Sequence, residues 1–310
     1  MLYLRERDVL QLLPMPRAIA LMRQVFEELA QKKAVNHPRR RLILPTGTVM
    51  HYMTAGDQQY LGAKVYTTNL KTGAHFLFLL YRSADAAPLA IIEANHLGQI
   101  RTGAATGYAT DLMARKDAAT LAIIGTGFQA ETQVDAVAAV RPLREIRIWS
   151  RKPEKREQFA ERLRAKGLKG VSIAASAEAA VAGAAIAVTA TNSKDPVFAA
   201  EWVAEGTHIN ATGSNQANRR ELPADILSRA ALVAVDSKEQ AAMESGDLLL
   251  ASEEEWDRQN LVELADVHGR NDDRAITVFK SNGLALEDVV AAGRVYQEAA
   301  RLGIGFPIPE

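Results

Sequence analysis

The sequence predicts an α/β protein in two parts, a doubly wound parallel sheet preceded by a separate α/β lobe. The length of 310 residues is about twice that of a typical domain. After residue 117 an apolar strand, a Gly-containing turn and a helix follow one another, and strands keep alternating with helices from there. Between residues 41 and 93 short apolar segments are separated only by turn residues, as in an antiparallel sheet.

The elements of the first part follow from the spacing of apolar residues. From Asp8 to Lys33 apolar positions recur every three or four residues and are interrupted by Pro14 and Pro16, which predicts a short helix and then a long amphipathic one. The remaining elements of this part are five strands and a helix, predicted at 41–44, 49–53, 60–66, 75–81, 89–93 and 98–113.

The second part alternates between strands and helices. The predicted strands are at 120–124, 145–149, 171–173, 186–189, 208–211 and 232–235. The predicted helices are at 129–140, 155–165, 177–181 and, near the C-terminus, 286–301. Such alternation is typical of a Rossmann-type parallel sheet.

Composition excludes several classes of function. Lys and Arg number 37, as do Asp and Glu, so neither nucleic acid nor a membrane surface is an expected partner. The absence of cysteine excludes disulfides, thiolate metal ligands and cysteine nucleophiles. The six histidines lack paired metal-ligand spacing, so no metal is predicted. Charges within the first eleven residues argue against a secretory signal, and the expected location is the cytoplasm.

The turn after the strand at 120–124 has the pattern G-x-G-x-x-A. In a dinucleotide site the first glycine allows the tight turn and the second lets the backbone approach the pyrophosphate, while the following helix offers unpaired N–H groups. G-x-G alone is most often only a turn, but the flanking strand and helix favour dinucleotide binding. The predicted cofactor contacts in this turn are Gly125, Thr126, Gly127, Phe128 and Gln129.

The end of the next strand bears on the choice of cofactor. An NAD-preferring site carries Asp or Glu there to accept hydrogen bonds from the ribose, whereas this sequence has Ser150, Arg151 and Lys152. A hydroxyl and a guanidinium can bind a 2′-phosphate, which a carboxylate would repel. We therefore predict NADP, with Ser150 and Arg151 as contacts. NAD remains an alternative, as does a basic loop that is merely solvated.

Six segments in order resemble the ornithine cyclodeaminase/mu-crystallin family over nearly the whole chain; they are residues 61–64, 100–106, 125–130, 210–215, 220–222 and 278–283 with 286–288. The resemblance implies a substrate-binding and dimerisation lobe of residues 1–115 and 285–310, and an NAD(P)-binding Rossmann domain of residues 116–284. It also implies a nicotinamide-dependent enzyme that acts on a small amino or imino acid and forms a homodimer.

The same resemblance implies roles for individual residues. Lys64 resembles the active-site lysine of the family, and Arg101 resembles the arginine that binds the substrate carboxylate. A second family arginine falls within residues 39–41; we choose Arg41 because it fits the strand pattern best, while a shift of one residue would select Arg40. Residues that resemble further cofactor contacts of the family, or lie beside them, are Thr102, Thr189, Lys280, Ser281 and Asn282.

Asn215 departs from the family pattern. The cyclodeaminases of the family carry an aspartate there, which accepts a proton as the substrate closes its ring. An amide can orient a substrate but cannot act as a general base. We therefore predict reduction of a cyclic ketimine carboxylate by NADPH, with Asn215 in the catalytic site. The alternatives are ornithine cyclodeamination, alanine dehydrogenation and a crystallin-like NADP-binding protein that is not an enzyme.

Overall fold

The computed structural model describes residues 1–309. Its internal contacts divide the chain into two compact units, one formed by Met1–Arg101 with the C-terminal residues from Gly283 onward and the other by Thr102–Asn282. Residues 102–115 are thereby grouped with the second unit, and the predicted boundaries at 115/116 and 284/285 stay a prediction.

The described residues form fifteen strands and ten α-helices. The strands are β1 Leu2–Leu4, β2 Val35–Ile43, β3 Val49–Gly56, β4 Tyr60–Asn69, β5 Gly73–Arg82, β6 Pro88–Glu93, β7 Thr120–Ile124, β8 Glu145–Trp149, β9 Val171–Ile173, β10 Ile186–Thr189, β11 His208–Ala211, β12 Leu232–Val235, β13 Leu261–Glu263, β14 Thr277–Lys280 and β15 Phe306–Pro307. The helices are α1 Glu6–Leu12, α2 Met15–Ala30, α3 Asn95–Met113, α4 Phe128–Val140, α5 Pro153–Ala165, α6 Ala177–Val181, α7 Ala224–Arg229, α8 Lys238–Glu244, α9 Gly246–Leu249 and α10 Ala285–Leu302.

The first unit contains a seven-stranded sheet in the order β15-β1-β6-β5-β4-β3-β2. Strands β2 to β6 pair antiparallel with their chain neighbours, as the sequence predicts. Strand β1 instead pairs parallel with β6 and antiparallel with β15. These two short strands were not predicted, because two or three residues carry no usable alternation.

Helix α10 covers one face of this sheet by packing against β2, β3, β4 and β5. Its residues 285–293 are all buried. A Cβ at Gly293 would lie 2.6 Å from the ring of Tyr60, so glycine allows the close approach of this helix to β4. The helix ends at Gly303, whose φ of 67° is left-handed and suits glycine.

The opposite face of β2 to β5 presents large apolar side chains. Residues of one face alternate along each strand, and the side chains of this face that are exposed include Leu42, Met50, Tyr52, Leu61 and Leu77. An exposed apolar face of this kind is typical of a protein–protein contact.

The second unit contains an eight-stranded parallel sheet in the order β13-β12-β14-β11-β10-β7-β8-β9. Strand β7 lies between β10 and β8, and chain order reverses between β7 and β10. The central strands are buried and contribute to two apolar clusters. The predicted α/β class with a Rossmann-type sheet is therefore confirmed, and its ligand site belongs at the carboxyl ends of β7 and β10.

Within residues 1–309 no helix has the length and apolarity to span a membrane.

Candidate active site

Lys64 lies on the face of β4 that α10 covers, between Met53 of β3 and Phe78 of β5. A buried ammonium loses its hydration and is rare in proteins, yet only 3% of Lys64 is exposed. Its Nζ donates a hydrogen bond to Oδ1 of Asp288 at 2.8 Å. A Cβ at Gly98 would lie 2.5 Å from the same Nζ, so glycine leaves room for the ammonium.

Arg101 of α3 contacts the same turn of α10. Its Nη1 donates to Oε2 of Glu287 at 2.7 Å, and its Nε lies 3.3 Å from Oδ2 of Asp288. A Cβ at Gly283 would overlap the guanidinium. The two carboxylates of α10 thus hold a lysine from the sheet and an arginine from another helix.

Burial and the neighbouring charges change the pKa of Lys64. Burial lowers the pKa of Lys64 from 10.5 to about 8; Asp288 opposes the change, whereas Arg101 and Arg39 reinforce it. The Asp288 carboxylate and the two guanidiniums thus act on the pKa of Lys64 in opposite directions. An ammonium with a pKa near neutral pH suits proton transfer.

The three consecutive arginines of β2 have different environments. Arg39 is buried, whereas Arg41 is exposed. A β-bulge between residues 37 and 40 interrupts the register against β3. Arg41 lies opposite His51. The pKa of His51 is lowered to about 4, mainly by burial and secondly by the positive charge of Arg41. Arg41 as the substrate contact stays a prediction; burial and the effect on Lys64 favour Arg39, which the strand pattern did not select.

An aromatic row lies beside the cluster. The rings of His51 and Tyr66 stack with centroids 4.3 Å apart, and Phe76 follows at 4.9 Å from Tyr66. The three residues are directly opposite one another on β3, β4 and β5. Nζ of Lys64 lies 5.8 Å from the centroid of Phe76. The row supplies an apolar wall next to a cation.

In the second unit, the two glycines of the predicted phosphate turn are required for different reasons. Gly125 has a φ of 112°, and a Cβ there would overlap the carbonyl oxygen of Ala190. Gly127 precedes α4 with a φ of −78°, and a Cβ there would meet no atom of the described residues within 4 Å. Packing within residues 1–309 does not require glycine at 127, whereas a pyrophosphate at the helix N-terminus would. The turn therefore fits a dinucleotide.

The end of β8 places a hydroxyl and several cations next to this turn. Oγ1 of Thr126 donates to Oγ of Ser150 at 3.2 Å. Arg151 and Lys152 are exposed. Arg156 of α5 was not predicted; its Nε donates to the carbonyl of Ser150, and its guanidinium lies 5.3 Å from the ring centroid of Trp149. This arginine anchors the loop that carries the predicted 2′-phosphate contacts.

The predicted contacts on β14 and just after it make hydrogen bonds within the protein. Lys280 is fully buried, 3.1 Å from Oδ2 of Asp247, and donates to the carbonyl of Ser214 at 2.6 Å. Oγ of Ser281 donates to Asp236 at 3.0 Å. Their predicted roles as cofactor contacts stay predictions, and the structure shows that both residues hold neighbouring loops.

The remaining predicted residues of this unit lie at strand or helix ends or within α3. Thr189, the last residue of β10, is buried, and its carbonyl accepts from the backbone and hydroxyl of Thr212. Thr102 is a buried residue of α3. Phe128 and Gln129 begin α4. Asn215 follows β11 and is half-buried. Their functional roles stay predictions.

Glu221 is a buried carboxylate that sequence reasoning did not assign. Its Oε1 accepts the backbone N–H of Thr191 at 2.6 Å and its Oε2 that of Gly213 at 2.7 Å. Burial, with Asp247 nearby, raises the pKa of Glu221. It joins the segments that follow β10 and β11, at the edge of the sheet where the ligand of such a fold binds. The sequence signal that could have identified Glu221 is its place in residues 220–222, one of the six segments that resemble the family.

A dinucleotide turn on a parallel sheet, together with a buried lysine and arginine held by carboxylates, defines a nucleotide-dependent enzyme of two α/β units. The chain belongs to the ornithine cyclodeaminase/mu-crystallin family, whose family model matches residues 3–302. The resemblance in the sequence segments is thereby confirmed.

Three relatives illustrate the similarity. A Δ1-pyrroline-2-carboxylate reductase of Bacillus cereus is 36% identical over an alignment of 327 positions that covers 98% of each chain. The structure of Thermococcus litoralis Δ1-pyrroline-2-carboxylate reductase in complex with NADH and L-proline is 33% identical, with a TM-score of 0.94 over 99% of this chain and 100% of that one. An archaeal alanine dehydrogenase dimer with bound NAD is 29% identical, with a TM-score of 0.91 over 100% and 99% of the two chains.

Proposed function

We propose that this protein reduces a cyclic ketimine carboxylate, with Δ1-pyrroline-2-carboxylate as the first candidate, by means of a reduced nicotinamide dinucleotide. The observation that carries the proposal is the buried cluster of Lys64 and Arg101 with Glu287 and Asp288, which holds a guanidinium close to an ammonium whose pKa is about 8. Two relatives support the choice of substrate, because both are named reductases of Δ1-pyrroline-2-carboxylate.

The substrate carboxylate would bind the guanidinium of Arg101, with Arg39 or Arg41 as the second contact. A planar guanidinium matches a carboxylate in two parallel hydrogen bonds. Because Glu287 and Asp288 already orient Arg101, little side-chain freedom would be lost when the substrate binds.

Reduction of a C=N bond adds a hydride to carbon and a proton to nitrogen. When bound, the reduced nicotinamide supplies the hydride. Lys64 would donate the proton from Nζ and regain one from solvent after the product leaves. With a pKa of about 8, roughly nine tenths of Lys64 is protonated at pH 7, so it can act as the acid there.

For the cofactor we propose NADP rather than NAD. The two solved structures described above hold NADH or NAD, so the proposal of NADP depends on the side chains of this chain alone. Ser150 and Arg151 replace the carboxylate of an NAD-preferring site, and Arg156 anchors their loop.

Other activities of the family are less well supported. Asn215 lacks the carboxylate that ring closure of ornithine would require. A protein that only binds NADP would have no need of an oriented, buried lysine and arginine. Alanine dehydrogenation acts on an open-chain substrate instead of a cyclic one. An assay with pyruvate plus ammonia therefore distinguishes it from ketimine reduction.

The proposal is tested by following NADPH and NADH oxidation with Δ1-pyrroline-2-carboxylate, its six-membered homologue, and pyruvate plus ammonia. Ammonia release from L-ornithine with NAD is measured in parallel for the unmodified protein and for Asn215→Asp. We expect the unmodified protein to reduce the ketimine rapidly and to release little or no ammonia from L-ornithine. Asn215→Asp should release more ammonia than the unmodified protein. Brisk ammonia release by the unmodified protein, or no ketimine reduction with either cofactor, would refute the proposal.

We also propose that the protein is a homodimer through the apolar face of β2 to β5 that α10 leaves uncovered. Leu42, Met50 and Tyr52 are exposed there, and an archaeal relative is described as a dimer. Sedimentation velocity should show a dimer that Tyr52→Glu weakens. A monomer at every concentration would contradict this.

A further inference from the structure

We infer that Asp288 is a positioning residue that aims Lys64, keeps its ammonium charged, and couples it to Arg101. The inference rests on the proposed role of Lys64 as the proton donor. It assigns a purpose to a carboxylate that binds neither substrate nor cofactor in the mechanism above.

The geometry places one carboxylate between two cations. Oδ1 of Asp288 accepts from Nζ of Lys64 at 2.8 Å, while Oδ2 lies 3.3 Å from Nε of Arg101. Asp288 is completely buried. The two atoms of one rigid group therefore set the separation between the proposed proton donor and the proposed carboxylate contact.

The position of Asp288 in α10 is itself constrained. It lies in the first turn, where the helix dipole stabilises negative charge. The backbone N–H of Leu286 donates to Oδ1 of Asn36 at 3.1 Å, which ties the start of the helix to β2. The neighbouring Glu287 accepts a hydrogen bond from Arg101. Asp288 is therefore the carboxylate of this turn that contacts Lys64.

The charges around Lys64 show why the carboxylate matters. The positive charges of Arg101 on α3 and Arg39 on β2 repel the ammonium and lower the pKa of Lys64. From β5 the side chain that lies near Nζ is the neutral ring of Phe76. From α10, Glu287 pairs with Arg101, and Asp288 contacts the ammonium directly. Asp288 is thus the carboxylate in contact with Lys64 that offsets burial and two neighbouring cations.

The test substitutes Asp288→Asn, which keeps the shape and removes the charge. The Nζ titration of Lys64 is followed by ¹⁵N NMR of lysine-labelled protein, with the signal assigned by Lys64→Arg. We expect the pKa of Lys64 to fall by about one to three pH units, the effect of an opposite charge in contact. The alkaline limb of the pH profile of kcat/KM should move down by the same amount, and Asp288→Glu should restore most of it. Glu298→Gln removes another carboxylate of the same helix, far along it from Lys64, and should change neither measurement.

An unchanged Lys64 titration in Asp288→Asn would overturn the inference. A shifted titration with an unmoved pH profile would support the pairing but refute Lys64 as the proton donor, so the two failures are distinguishable. If Asp288→Asn does not fold, Arg101→Gln provides a second titration. Removing that cation leaves Asp288 to Lys64 alone, so the pKa of Lys64 should rise, and a fall would overturn the inference.

Discussion

Lys280 and Asp247 form an ion pair in which neither side chain is exposed, with 3.1 Å between Nζ and Oδ2. The same ammonium donates to the carbonyl of Ser214, and Oδ1 of Asp247 accepts the backbone N–H groups of Glu221 and Leu222. The pair therefore connects β14 to the segments around residues 214 and 221. Its charges are satisfied within the protein.

Lys280→Met should lower the free energy of unfolding by about 3 to 5 kcal/mol, because it leaves the Asp247 carboxylate buried without its cation. The double substitution Lys280→Met with Asp247→Asn should lose less, since the asparagine carbonyl still accepts the two N–H groups without a charge. Urea unfolding of the three proteins measures this. Unchanged stability combined with weaker NADPH binding would instead favour Lys280 as a cofactor contact.

The two glycines of the phosphate turn should respond differently to alanine. Gly127→Ala should leave the thermal midpoint nearly unchanged and weaken nucleotide binding by about tenfold or more, because its Cβ meets no atom of residues 1–309 but occupies the path of the pyrophosphate. Gly125→Ala should destabilise the fold itself, given its positive φ and the carbonyl of Ala190. Calorimetry and nucleotide titration of both variants separate the effects. Equal losses of stability would argue against the assigned roles.

Arg151→Ala should remove most of the preference for NADPH over NADH, at a cost of about 1.5 to 3 kcal/mol in NADPH binding, as for a hydrogen bond to a charged group. Binding of NADH should change little. Lys155→Ala, a nearby exposed cation on α5, is the matched control and should keep the preference. Equal affinity of the unmodified protein for the two cofactors would show that Ser150 and Arg151 do not select NADP.

His208 should make the protein less stable in acid. Burial lowers the pKa of His208 to about 3, against 6.5 for an ordinary histidine. Between those values the unfolded chain binds a proton that the folded protein does not, so stability falls as pH decreases through this range. Between pH 7 and 5 this one group should cost about 2 kcal/mol.

Urea unfolding at both pH values tests this expectation. His208→Gln should be less stable at pH 7 because contacts with Thr277 and Asn210 are altered, but it should lose less on acidification. The exposed His268→Gln is the control. An identical pH dependence in His208→Gln and the unmodified protein would mean that other groups cause the acid sensitivity.

Features that depend only on residues adjacent in the sequence could be predicted from it. The strand, Gly turn and helix at 120–140 are defined by local apolar runs and by Gly125, so the sheet class and the phosphate turn could be predicted. Lys64 and Arg101 were found through short motifs, which indicate the residue but not its partners.

Long-range packing decided the rest. Lys64 meets Asp288 across 224 positions of chain, and no periodicity of either segment specifies that pairing. A single bulge in β2 decided which of three successive arginines is buried, because inserting a residue changes the side-chain alternation of a strand. Burial then changed the chemistry: water holds an isolated lysine near its usual pKa, whereas α10, the sheet and two arginines bring the pKa of Lys64 to about 8. The sequence by itself determined which groups are present, and the tertiary structure decided their contacts and, through desolvation, their protonation.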